Sequence, residues 1–256
     1  MSGNGNFFPV FPGATEESAK NGILRLRKHQ FACPGAVPGE NRTLLYLPML
    51  YPGLLFAIFA GYLLGSIPFG LLVARSRGID IRKHGSGNIG ATNVLRVVGK
   101  KWGILVFALD ALKGVAAVLL ARHFFGTAGE GVGGGNELPG IVAGLACVVG
   151  HNFPVWLRFK GGKGVATTAG VLAGLMPVAA LVAFVVWVAV FKISRYVSLA
   201  SLVAAVAIPA TVWYEERQMS VMFCFALIVA AMGIWRHRSN IQRLCAGTEN
   251  RFEKKK

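Results

Sequence analysis

Charge is scarce in this chain, and acidic charge is scarcer. Charged residues make up 15% of the 256, and only 11 residues are Asp or Glu; a typical soluble domain is about 25% charged. With hydrophobic residues at 54% and a mean hydropathy of +0.54, the composition argues against a water-soluble single-domain enzyme. Cysteines are few. Cys33, Cys147, Cys224 and Cys245 lack metal-ligand spacing, and two of them lie in apolar runs, so neither a zinc site nor a disulfide framework is expected. The first 45 residues lack any sustained apolar run and carry Pro9, Pro12, Pro34 and Pro38, which fits neither a cleaved secretory signal nor a folded domain. Residues 1–45 therefore read as a disordered or lightly structured extension, 46–252 as the folded unit and 253–256 as a basic tail.

What is abundant is basic charge: 27 Lys and Arg leave a net charge of +16. In a soluble protein that would suggest nucleic acid. Here the basic residues fall in short blocks between long apolar runs, the distribution of a membrane protein, so the expected partner is a lipid bilayer and not nucleic acid. The runs cover about 44–73, 102–120, 138–157, 165–176, 178–191, 197–214 and 220–235. A helix needs roughly 20 residues to cross the hydrocarbon, and the fourth and fifth runs are short. Fusing them across Pro177 gives six spans; splitting them there gives seven. Arg75–Lys101 holds seven Lys or Arg, the 158–163 segment three and the tail from Arg236 seven, whereas 121–137 holds only Arg122. Only the split places all the basic-rich segments on one side. The expected fold is an all-α polytopic membrane protein of seven transmembrane helices, with its N-terminus outside and its motif loops cytoplasmic. The five basic residues between Lys20 and Arg42 would then lie outside, unless translation starts at Met49 or the first loop's larger charge dominates.

Three polar constellations share that face. The first runs from Asp80 through Gly85-Ser86-Gly87-Asn88-Ile89-Gly90-Ala91-Thr92-Asn93 to Arg96. Its glycines formally spell a dinucleotide fingerprint, but no strand precedes them and no acidic residue follows at a strand end. A bare solvated turn competes with a site built from Ser86, Asn88, Asn93, Arg96 and the backbone N–H groups of Gly85 and Gly87. The second is Gly150-His151-Asn152, then Lys160-Gly161-Gly162-Lys163-Gly164 running into Val165-Ala166-Thr167. Glycines let backbone N–H groups turn toward an anion, the lysines bring charge, and the following helix offers its positive N-terminal end. A basic membrane anchor would not need three glycines. The third follows the last span, where His237 and Asn240 share a helix face, with Glu249 beyond. Asp110 and Lys113, spaced i and i+3 inside the second span, are expected to pair, because ionisable groups at membrane depth rarely stand alone.

These residues, with Gly65-Ser66-Ile67-Pro68-Phe69-Gly70 and Tyr196-Val197-Ser198-Leu199-Ala200-Ser201, closely resemble the PlsY family, bacterial membrane acyltransferases that acylate glycerol 3-phosphate from acyl-phosphate. The resemblance covers about Met49 to Phe252. It implies seven helices in the inner membrane with a cytoplasmic active site and phospholipid synthesis as the process served. By that resemblance Ser86 and Arg96 are catalytic, Gly161, Gly162, Lys163 and Gly164 bind the phosphate of glycerol 3-phosphate, and His237, Asn240 and Glu249 matter for activity or integrity. Asn88 and Asn93 join the catalytic candidates, Lys160 and Thr167 the phosphate site, and Gly85, Gly87, His151 and Ser198 the supporting set. His84 receives no role. No metal and no cofactor is expected; phosphate is already a good leaving group, and the resemblance implies that a substrate phosphate takes the hydroxyl proton. A secondary transporter of an organic phosphate is the competing reading, because broken helices aimed at an anion also build transporter sites. The absence of an internal repeat weighs against it.

Overall fold

The structure, a computed structural model, describes residues 42–126 and 137–252. All its regular elements are helical. Helix α1 (Arg42–Ser66) stops at Ile67-Pro68, where the missing proline N–H and its ring break the ladder, and α2 (Phe69–Arg75) continues nearly the same path, so that Pro52–Arg75 counts as one apolar span. A short 3-10 turn (Ile81–Lys83) and α3 (Ala91–Val97) carry the first motif. Then come α4 (Lys100–Phe125), α5 (Leu138–Asn152), a second 3-10 turn (Val155–Leu157), α6 (Val165–Leu175), α7 (Pro177–Ser194), α8 (Val197–Glu216), α9 (Val221–Arg236) and α10 (Arg238–Cys245). The extension read over residues 1–45 lies outside the described residues except at 42–45, where α1 already begins, and the tail 253–256 lies outside them.

The protein is an all-helical membrane protein, and the chain does divide at Pro177, which opens α7 at its first position. The count of spans is less simple than seven. Among the described residues five helical stretches are long and apolar enough to cross, and a sixth is reached if α9 and α10, bent by 56°, are taken together. Helix α6 falls short, because 11 residues at 1.5 Å each reach only about 16 Å of the roughly 30 Å hydrocarbon thickness. It packs along the half of α4 from Ala111 to Arg122. Its start carries the glycine–lysine loop, while near its end the Gly174 carbonyl accepts from Arg122 Nη1 at 3.1 Å.

Small residues set the helix spacing. A Cβ on Gly65 would overlap the Cys147 carbonyl of α5, and one on Gly170 the Ala111 carbonyl of α4. Lipid tails are as apolar as leucine, so helices in a bilayer associate through such close backbone approach rather than through hydrophobic burial. The larger core joins Val118, Val148, Val171, Leu172, Ile208, Val212, Phe225 and Val229 across α4 to α9. A second core of Leu71, Ile81, Ile89, Val94 and Val106 fastens the first motif onto α2 and α4. At the motif end, Phe252 N donates to Arg195 O at 3.0 Å and Arg251 Nε to Ser194 O at 3.2 Å, folding the C-terminal segment over the α7–α8 turn.

Candidate active site

The first motif is wound around one side chain. Asn93 is 2% exposed; its Oδ1 accepts the Ser86 N–H at 3.0 Å, and its Nδ2 donates to the carbonyls of Asn88, His84 and Ile81 at 2.9, 3.1 and 3.3 Å. With both amide atoms committed, Asn93, a catalytic candidate from the sequence, shapes the loop. Gly85 and Gly87 adopt φ +59° and +68°, left-handed values that favour glycine. The loop they turn presents Ser86, which is exposed and whose hydroxyl bonds to none of the described residues. Arg96 reaches the same space, its guanidinium lying 4.7 Å over the Phe252 ring while Nη2 donates to Asn250 O at 3.2 Å. His84 points elsewhere. Its Nδ1 lies 3.0 Å from the Asp80 carbonyl, and the Asp80 carboxylate is held by Arg82 at 2.7 Å, so no Ser-His-Asp chain forms.

The second motif departs from the pattern in which all its glycines face an anion. The Gly161 N–H returns to Asn152 O at 3.2 Å and the Gly162 N–H to His151 O at 3.0 Å. These two therefore fold the loop back on the end of α5 and do not offer their N–H groups to a phosphate. Only Gly164, at φ +81°, uses the left-handed region. The first rung of α6 runs from Thr168 N to Gly164 O, so the N–H groups of Val165, Ala166 and Thr167 stand outside the helical ladder at its positive end. Lys160 is exposed and outside the cavity described below. Thr167 is fully buried and its Oγ1 has no hydrogen-bond partner among the described residues; Thr168 lines the cavity instead.

The third motif supplies a polar network. Lys163 Nζ donates to Asn240 Oδ1. Asn240 Nδ2 and Ser198 Oγ donate to Glu249 Oε1 at 2.7 and 2.9 Å, and Arg243 Nε donates to Glu249 Oε2 at 2.8 Å. Burial raises the Glu249 pKa, but the hydrogen bonds from Asn240, Ser198 and Arg243 outweigh it and hold the carboxyl below its ordinary value. Burial pushes Lys163 down to about 8, against the pull of Glu249 and with the help of nearby arginines. His237 is 4% exposed and its Nδ1 lies 2.8 Å from Gly233 O. A carbonyl only accepts, so Nδ1 carries the hydrogen and Nε2 keeps its lone pair.

Beneath the glycine loop the expected Asp110–Lys113 pair forms at 2.7 Å, with a third member. Lys113 Nζ also lies 3.0 Å from His151 Nδ1 and donates to Ile67 O at 3.1 Å. The same Nδ1 lies 3.5 Å from Asp110 Oδ1, so the three side chains form one buried cluster.

A cavity of about 470 Å³ joins these parts. Ser86, Asn88, Arg96, Lys163, Gly164, Ser198, His237, Asn240 and Glu249 line its polar end, with Asn93 and His151 at its wall; Gly85, Gly87, Lys160, Gly161, Gly162 and Thr167 do not line it. The cavity continues between α6, α7, α8 and α9 past Leu172, Ala183, Phe184, Trp187, Ala204 and Ile208. Two contributors escaped the sequence reading. The apolar lining is spread over α3, α4 and α6 to α9 without a motif, and Arg236, whose fork binds the carbonyls of Gly161 and Gly162, looked like one more basic residue at a span's end.

A cationic, hydrogen-bonding head that opens into an apolar cleft has the chemistry to take an anionic group at one end and an aliphatic one along the other. The family model described as glycerol-3-phosphate acyltransferase matches residues 55–247. Glycerol-3-phosphate acyltransferases of Allorhizobium ampelinum and Aquifex aeolicus are each 46% identical to the chain, covering 83% and 77% of it and 99% and 98% of their own lengths. The crystal structure of PlsY in its glycerol 3-phosphate form superimposes with a TM-score of 0.70 at 45% identity over 78% of this chain and 96% of PlsY; its lysophosphatidic acid form gives 0.68 at 44%, over 78% and 95%. The chain therefore belongs to the PlsY family of glycerol-3-phosphate acyltransferases. It is an integral, multi-pass acyltransferase of phospholipid synthesis.

Proposed function

We propose that the chain transfers an acyl group from acyl-phosphate to the sn-1 hydroxyl of glycerol 3-phosphate, releasing inorganic phosphate and 1-acyl-glycerol 3-phosphate, at the cytoplasmic face of a bacterial inner membrane. The observation that carries this reading is one continuous cavity, cationic at one end and apolar along the other, since both substrates bring phosphate and only one brings a tail. Lys163 and the first N–H groups of α6 hold the glycerol 3-phosphate phosphate. Ser86, Asn88 and Arg96 face the acyl-phosphate and the carbonyl oxygen on which charge develops, and the acyl chain lies along Phe184, Trp187 and Ile208. His237 Nε2 accepts a hydrogen bond from a glycerol hydroxyl, and the Ser198–Glu249–Asn240 network fixes the position of Lys163.

In the reaction the hydroxyl oxygen bonds to the carbonyl carbon, the bond from that carbon to the phosphate oxygen breaks with its electron pair leaving on phosphate, and the hydroxyl proton passes to a substrate phosphate oxygen. Transfer is direct. The geometry around His84 and Asp80 supplies no base to activate Ser86, and a serine ester would be a less reactive donor than acyl-phosphate. Catalysis then consists of orientation and electrostatic stabilisation. Purified full-length protein should release phosphate from acyl-phosphate only when glycerol 3-phosphate is present, with the acyl group recovered at the sn-1 position. Acyl transfer with acyl-thioesters but not acyl-phosphate would refute the donor assignment.

A further inference from the structure

We propose that Arg236 is a positioning residue for the glycine–lysine loop, holding the carbonyls of Gly161 and Gly162 so that the Lys163 backbone and side chain face the cavity. The proposal rests on the reading of this loop as the phosphate site. Arg236 Nε donates to Gly162 O at 3.0 Å, and Nη2 donates to Gly162 O at 2.6 Å and Gly161 O at 3.1 Å. The N–H groups of the same two glycines are tied to Asn152 and His151. Both glycines are thus pinned through donor and acceptor alike.

The consequence follows from peptide planarity. In a trans peptide the C=O and the next N–H point in opposite directions, so a Gly162 carbonyl fixed toward Arg236 sends the Lys163 N–H away from it. Lys163 and Gly164 line the cavity and Arg236 does not, so the arginine acts from behind the loop without touching substrate. Its own orientation is set by aromatic rings. The guanidinium lies 5.1 Å from the Phe153 ring centre and 5.8 Å from that of Trp235, and those two rings pack 5.9 Å apart. A planar fork is what this geometry uses; a lysine at the same place would keep the charge and lose both the second arm and the stacking.

The test separates fork from charge. In the full-length enzyme, Arg236→Lys should raise KM for glycerol 3-phosphate about ten-fold or more while KM for acyl-phosphate stays within about two-fold. The rise in Tm that glycerol 3-phosphate produces in wild-type protein should shrink to match. Wild-type KM values in Arg236→Lys would overturn the proposal, as would equal rises in both KM values with a lowered Tm in the absence of substrate. Phe153→Leu, which keeps the hydrogen-bonding groups and removes the ring, should produce a smaller rise in the same KM; no change there would also count against it. Lys163→Ala serves as the reference. If it raises KM for acyl-phosphate alone, the phosphate-site reading fails, and the Arg236 proposal survives only if Arg236→Lys raises that same constant.

Discussion

Gly162→Ala is the sharpest perturbation the site allows, because the added atom has one well-defined obstacle. The φ of Gly162 is not in the left-handed region, so backbone strain is not the issue, and the turn itself would tolerate alanine. Space is the issue. A Cβ there would overlap Nε2 of His151 and come within 2.9 Å of its Cδ2 and Cε1. The ring cannot simply swing aside, since His151 is 5% exposed and its Nδ1 is held by Lys113 at 3.0 Å. Either the imidazole gives up Lys113 or the loop lifts away from Arg236. Overpacking of this kind costs about 1–3 kcal/mol. If glycerol 3-phosphate binding must restore the loop, that cost converts at about 1.4 kcal/mol per decade into a KM raised by roughly five-fold to 150-fold. Phosphate release measured against glycerol 3-phosphate at saturating acyl-phosphate reads the effect directly. A two-residue cycle with His151→Ser isolates the cause, because trimming the ring should relieve part of the alanine penalty and make the two changes non-additive. Strict additivity, or a Gly162→Ala enzyme with unchanged KM, would refute the reasoning.

The pH dependence of glycerol 3-phosphate binding should carry the signature of Lys163. With its pKa lowered to about 8, the free enzyme loses the cation as pH rises through that value, so KM should climb above about pH 8, and Lys163→Arg should move the climb upward if it still binds. Serine chemistry offers an independent check. Ser86→Ala should lose most activity and His84→Ala should keep much of it; an acyl group trapped on Ser86 at a kinetically competent rate, seen by mass spectrometry after exposure to acyl-phosphate alone, would replace direct transfer with double displacement.

How much of this was legible beforehand depends on whether a contact leaves a local trace. The i, i+3 spacing of Asp110 and Lys113 announced their pairing. Their third partner, His151, lies 38 residues away on another helix, and nothing in the spacing could bring it there. Hydropathy identified the apolar runs, and the distribution of basic residues the split at Pro177, yet both report composition and not depth. That α6 reaches the Arg122 end of the bundle on 11 residues is settled by the Gly174 contact and by the glycine packing of α4 on α6. The glycine loop shows the same limit most clearly. Three glycines beside two lysines correctly marked a place where the backbone can turn, but permission to turn carries no direction. Gly161 and Gly162 turn back to the carbonyls of α5, and the partner that holds them there is an arginine bonded to backbone oxygens, which any sequence possesses at every position. Side chain to backbone contacts therefore hide from motif reading, and in this site they decide which N–H groups are left without a backbone partner: those of Lys163 and the first turn of α6, not those of the two glycines that drew attention to the loop.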